Sequence, residues 1–219
     1  MAPRRATGRP RDSREAVRRA AEREFAAHGL AGAGVDTIAR RAGVNKAMIY
    51  YHFSSKLGLY REVLRDGFRA LLADARAVLD QPLTPIDKLD AYVSVLLRAA
   101  ARRKHLVPMM LREIAGGGRQ LDPETLRLLT GLFQVVRQIL DEGRRRGDFR
   151  EIDPLLTHLM IMGAGILYSA NEPLRVRIDR LKLIDGPVKV PFGAEPFVKH
   201  LGAILRGGLC RVHESHDHA

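Results

Sequence analysis

The sequence predicts an all-α chain of about nine helices, with a small N-terminal three-helix head and a larger helical region behind it. Three observations carry this. Apolar residues recur at helical spacing in one segment after another. Ala, Leu and Arg dominate the 219 residues while long β-branched runs are scarce, which favours helix over sheet. Start and stop signals punctuate the chain, with Asp-Pro pairs at 122–123 and 153–154 and glycines at 29, 43 and 116–118.

Residues 1–11 read as a basic disordered tail carrying Arg4, Arg5, Arg9 and Arg11. Asp12 is the expected N-cap of the first helix, with Glu15 as its capping-box partner. Ala16, Val17, Ala20, Ala21 and Phe25 form its inward side, and Gly29 ends it. Val35–Ala42 is a short second helix, and a third runs from about Asn45 to His52. A long fourth helix, about Lys56 to Leu79, exits at Pro82 and Pro85. Leu89, Tyr92, Val93, Leu96 and Ala100 mark the fifth, and residues 106–115 the sixth. Asp122-Pro123 starts a seventh that runs to Gly147, with Leu129, Leu132, Phe133, Val136 and Ile139 inward. Asp153-Pro154 starts an eighth, to about Asn171. Residues 172–195 alternate apolar and basic around a turn at Asp185-Gly186, and read as a short hairpin or a loop. The last helix is expected over Pro196 to Leu205, closed by Gly207-Gly208.

Charge separates the chain into regions. The net charge is +12, and residues 1–56 hold 12 Lys/Arg against 5 Asp/Glu, so a quarter of the chain carries over half the excess. A compact basic head points to a polyanionic partner. The lone cysteine, Cys210, excludes an internal disulfide framework and a Cys-cluster zinc site. No apolar stretch reaches the ~20 residues that span a bilayer, and no apolar segment follows the basic N-terminus, so a cytoplasmic protein without membrane attachment is expected. No nucleophile elbow, phosphate loop, His-x-x-x-His pair or close carboxylate pair is present, so an enzyme is not expected, nor a cofactor or metal. His213, His216 and His218 crowd the C-terminus, but nothing fixes their geometry, and a polar tail over 210–219 is the expectation.

The most informative stretch is residues 35–53, VDTIARRAGVNKAMIYYHF. Two short helices meet at Gly43, which suits a left-handed turn. Val44, Ile49 and Phe53 are expected to face the small core, and Lys46, Ala47, Tyr50 and Tyr51 the outside. This is the arrangement of a helix-turn-helix, whose second helix fits a major groove. Asn45 suits the cap of that helix, Lys46 a guanine or phosphate acceptor, Ala47 a thymine methyl and Tyr51 the base edges. Tyr50, His52 and Lys56 suit the phosphate backbone, as does Thr37 from the helix before. Two adjacent tyrosines on an outward face call for a partner.

Val35, Ile38-Ala39, Ala42-Gly43-Val44, Ile49-Tyr50, His52-Phe53, Lys56 and Leu59, with Phe25 and Gly29 before them, resemble the tetracycline-repressor (TetR) family of bacterial transcription regulators. The resemblance is close over residues 12–60; the rest matches in length and helix count. Where the family has a Thr capping the second helix and touching phosphate, this chain has Ala33-Gly34, which supplies no hydroxyl. The resemblance implies a DNA-binding domain over 12–56 and a ligand-binding and dimerisation domain over 57–209. It also implies a homodimer on a palindromic operator of double-stranded DNA, repressing until a small-molecule effector binds.

Two parts of that picture have independent support. The 154–171 helix is apolar nearly all round, so it needs a core on one side and a partner on the other. Leu159, Gly163, Ile166 and Leu167, with Phe197, Leu201 and Ile204 of the last helix as companions, are the expected interface between two chains. A pocket is expected within residues 86–171, with Tyr92, Met109, Met110, Arg112, Phe133, His158 and Met162 as candidate lining, although Arg112-Glu113 also reads as a charge pair. The alternative to a repressor is a sequence-tolerant architectural DNA-binding protein, which would discriminate little among duplexes.

Overall fold

The structure, a computed structural model, describes residues 10–183 and 193–210. Among these residues are ten helices and no strand: α1 (Pro10–Gly32), α2 (Val35–Ala42), α3 (Lys46–Phe53), α4 (Lys56–Arg76), α5 (Pro85–Arg102), α6 (Leu106–Ala115), α7 (Pro123–Arg146), α8 (Pro154–Ala170), α9 (Glu172–Arg180) and α10 (Glu195–Leu209). Arg4, Arg5, Arg9 and the three C-terminal histidines lie outside the described residues. No described helix is long and apolar enough to cross a membrane.

Four boundaries differ from expectation. α1 begins at Pro10, which is tolerated in a first turn, so Asp12 lies within the helix and is not its cap. α4 stops at Arg76 and gives way to turns. The hairpin or loop over 172–195 is incorrect for its first part, which is helix α9. Asn171-Glu172-Pro173 is a start signal, with proline and an acid in the first turn; the apolar/basic alternation masked it because α9 buries no residue and has no inward stripe to display. Gly207-Gly208 does not close α10, which runs to Leu209 because Leu205 and Leu209 are both buried one turn apart.

Packing divides the described residues into two compact units, one of those up to 70 with 103–128, the other of 71–102 with those from 129 to 210. In the first, α1 contributes Val17, Ala20, Ala21 and Phe25 to a core shared with Ile38, Ile49, Phe53, Leu59 and Tyr60. The Phe25 and Tyr60 rings meet edge to face at 5.0 Å. The Tyr60 hydroxyl donates to the buried Glu113 carboxylate at 2.7 Å, so α6 is tied to α4. Burial and that carboxylate raise the phenol's pKa well above the ordinary tyrosine range. Gly29, at φ 65° and ψ −175°, breaks α1 and strands the carbonyls behind it. Arg112 of α6 donates to two of them, Ala26 and Ala27, at 2.7 and 3.0 Å. Arg112 and Glu113, expected as an exposed or interhelical charge pair, both reach other helices but not each other: the guanidinium serves α1 and the carboxylate serves Tyr60.

His105 is buried at the start of α6, 3.5 Å from Glu22, in a cluster where Arg18 bridges Glu15, Glu22 and Asp66 and Arg103 also reaches Asp66. Burial, aided by Arg103 and Arg18, lowers the imidazole's pKa to about 4. Between pH 6.5 and about 4 the unfolded chain takes up a proton here and the folded protein does not, so stability is lost as pH falls through that window. Burial raises the pKa of Glu22, which acts in the opposite sense at the acid end. Urea midpoints at pH 7.5 and 5 test this: the wild type falls more steeply than His105→Gln, and equal falls would contradict it.

In the second unit α8 and α10 both pack on α5. Leu201, Leu205 and Leu209 of α10 are buried. Arg206 pairs with Asp87 and Asp90 at 2.9 and 2.6 Å. Gly202 permits the close approach, since a Cβ there would stand 2.4 Å from an Asp90 oxygen. Lys88, nearly buried, is neutralised by Glu142 at 2.8 Å. Phe149 is fully buried against Gly143.

Candidate nucleic-acid interface

The reading head is assembled on α1. Gly34, the N-cap of α2, offers no side-chain cap. The buried Glu24 carboxylate of α1 substitutes for it: Oε1 accepts the Gly34 N–H at 3.2 Å and Oε2 accepts Arg41 at 2.6 Å. One acid therefore satisfies an orphan amide at one end of α2 and a guanidinium at the other. Gly43 takes the expected left-handed conformation (φ 68°, ψ 29°), returning its N–H to α2 carbonyls. The Val44 N–H donates to the Ala39 carbonyl at 3.1 Å, and Val44 is half-buried. Asn45 caps α3, its side-chain oxygen accepting the Ala47 N–H at 2.9 Å.

α3 is held by Ile49 and Phe53, both buried, while Lys46, Ala47, Tyr50 and Tyr51 are exposed. Tyr50 is 44% exposed and Tyr51 78%, an unusual cost for two aromatics within one helix. Lys46 Nζ sits 2.9 and 3.0 Å from the two oxygens of Asp36 on α2, and that hydrogen bond raises its pKa. His52 turns toward α1, with Nε2 3.0 Å from the Ser13 hydroxyl. Arg14 lies over the Phe53 ring at 5.3 Å. Lys56 donates to the Ala31 carbonyl at 3.1 Å, and Thr37 is half-buried on α2. Glu24, Ser13 and Asp36 were not anticipated from sequence. Glu24 resembles any solvated helix charge, and the one signal for it was the missing hydroxyl at Gly34.

The candidate pocket residues are spread over both compact units. Met109, Met110 and Arg112 belong to the first unit; Tyr92, Phe133, His158 and Met162 belong to the second. Within the second, the Tyr92 hydroxyl meets the Met162 sulfur at 3.8 Å and the His158 and Phe133 rings stand 5.8 Å apart, edge to face. Burial lowers the pKa of His158 and raises that of Tyr92 beyond the ordinary phenol range. None of them lines the cavity of about 280 Å³ at the α7–α8 junction, which is walled by Leu140, Asp141, Arg144 and residues 149–154. Among the described residues no group of three His, Cys, Asp or Glu could hold a metal.

Of the expected interface residues, Leu159, Leu167 and Ile204 are exposed at 55%, 62% and 52%. Gly163, Ile166 and Phe197 are half-buried, with Phe197 against Tyr168 at 4.4 Å. Leu201 is a correction: it is buried within its own chain, because α10 uses that face against α5.

Residues 17–63 match the model for bacterial regulatory proteins of the tetR family, and residues 85–182 match a tetracyclin repressor-like C-terminal domain. The chain is 30% identical over 163 residues to the HTH-type transcriptional repressor NicS of Pseudomonas putida, covering 73% of this chain and 76% of that one. It is 31% identical to the HTH-type transcriptional repressor SCO4008 of Streptomyces coelicolor, covering 77% and 84%. Its fold matches a bacterial regulatory protein of the tetR family from Rhodococcus RHA1, with a TM-score of 0.72 at 20% identity over 91% of this chain and 98% of that one. Both sequence relatives are transcriptional repressors. With its helix-turn-helix held on α1 and with relatives of this likeness over most of its length, the chain belongs to the TetR family of DNA-binding transcriptional regulators.

Proposed function

We propose that the protein is a cytoplasmic repressor that binds a palindromic operator as a homodimer and is released by a small, mostly apolar effector. The observation that carries this is the exposed face of α3, where Lys46, Ala47, Tyr50 and Tyr51 stand together on a helix anchored by Ile49 and Phe53. That face is the right width and chemistry for a major groove, and its N-terminal residues reach base edges first. Thr37, His52 and Lys56 flank it and supply phosphate contacts, and Asn45 caps its first turn. The outward leucines of α8 support a second copy as partner, since a lone soluble chain seldom leaves such a stripe in water. Two copies would set their α3 helices about 34–36 Å apart, one turn of duplex. Release follows if an effector favours a dimer with a different spacing.

Selection of bound duplexes from a random pool tests this. The expected product is an inverted repeat with half-site centres about 10 base pairs apart, bound at least ~10³-fold more tightly than scrambled duplex. Enrichment of no sequence would contradict it and favour an architectural protein.

A further inference from the structure

Asp36 is out of place on a surface meant for phosphates. It lies in the first turn of α2, exposed, and both of its oxygens approach the ammonium of Lys46, at 2.9 and 3.0 Å. An exposed pair of this kind adds little to stability. It sits at the edge of the exposed α3 face, one helical turn from Tyr50, and at the end of α2 where Gly34 provides no hydroxyl. From this geometry we propose that Asp36 is a positioning residue that sets sequence specificity by restraining Lys46; the inference rests on the reading of α3 as the groove-facing helix.

A lysine behaves differently with and without a carboxylate partner. A free ammonium is a mobile point charge with three donors that pairs with any phosphate in reach, and such contacts carry no sequence information. Asp36 takes a hydrogen bond from the ammonium, holds both oxygens within 3.0 Å of it and cancels the charge locally. The N–H groups of Lys46 that remain point away from α2, with the ammonium biased toward one place at the edge of the α3 face. A phosphate gains little from it, whereas a base-edge acceptor at the right position gains one directed bond. If Lys46 swings to a phosphate instead, Asp36 is left bare beside the polyanion. Both effects weaken non-cognate complexes more than the cognate one, and specificity is that difference.

The test compares the full-length protein with Asp36→Asn, Asp36→Glu, Lys46→Ala and the Asp36→Asn/Lys46→Ala double variant. The probes are a duplex selected from a random pool and a scrambled duplex of equal length, titrated at several salt concentrations. Asp36→Asn is expected to tighten the scrambled duplex about fivefold and to steepen its salt dependence by about 0.9 in log–log slope, one additional phosphate neutralised. The selected duplex should change by less than about twofold, so that the specificity ratio falls. Asp36→Glu should keep the ratio, and the ratio should no longer respond to Asp36→Asn once Lys46 is alanine. A uniform tightening of both duplexes would show a general charge effect and overturn the proposal, as would an unchanged ratio. Should Lys46→Ala leave both duplexes unaffected, the groove-facing reading of α3 fails and the proposal fails with it. Loss of binding in Lys46→Ala with no ratio change in Asp36→Asn sinks the proposal alone.

Discussion

Leu159→Arg combined with Leu167→Arg is expected to yield a folded monomer whose affinity for the operator is at least ~10²-fold weaker than that of the wild type. The two leucines are more than half exposed within one chain, and Leu155, Leu156 and Met160 continue the same apolar surface along α8. Covering such a surface removes apolar area from water at about 25 cal/mol per Å². Two arginines placed there would have to be desolvated, and the two copies of each would face like charges across a two-fold interface. Neither substitution disturbs the folded chain, because the inward side of α8 is Thr157, His158, Ile161 and Gly165. A monomer loses DNA affinity because the second head no longer binds at the effective concentration set by the first. Sedimentation velocity, circular dichroism and operator titration measure the three quantities. A variant that remains dimeric would place the interface elsewhere.

Glu24→Ala is expected to destabilise the first unit by about 2–3 kcal/mol and to abolish operator binding before global unfolding. The carboxylate is almost fully buried and has two partners, the Gly34 N–H and Arg41. Its removal leaves the amide without an acceptor at the start of α2, and an unpaired buried donor costs about 1–3 kcal/mol. Arg41 is about half exposed and recovers part of its loss by hydration, which keeps the total near the lower end of buried ion-pair losses. Function should suffer more than stability, because α2 carries the turn at Gly43 that aims α3. Glu24→Gln retains an acceptor for Gly34 and should lose about half as much. Thermal unfolding followed with operator titration distinguishes the variants; equal behaviour of Ala and Gln would remove the cap from the account.

How much of this was visible in the sequence depends on the kind of signal. The helix-turn-helix was legible almost to the residue, because Gly43, Asn45 and the apolar spacing of Ile49 and Phe53 are local rules that act within a few residues. Asp153 capping α8 through the Leu156 N–H is legible for the same reason. α9 was not, because it buries nothing and its apolar residues show no stripe. The length of α10 was misjudged because tertiary burial of Leu209 overrode the glycine pair. Glu24, Arg112 and Asp36 act over 10 to 86 positions of separation, and no local pattern announces such partners.

Whether the outward side of α3 is what meets duplex DNA is decided directly by one titration. The protein carrying Lys46→Ala with Tyr50→Ala is measured against its selected duplex, with helical content and oligomeric state recorded in parallel. Both side chains are exposed, so the fold should be retained. A loss of ~10²-fold or more in affinity, with native circular dichroism and unchanged mass, is the predicted result. Undiminished binding by that native-like variant would contradict the account.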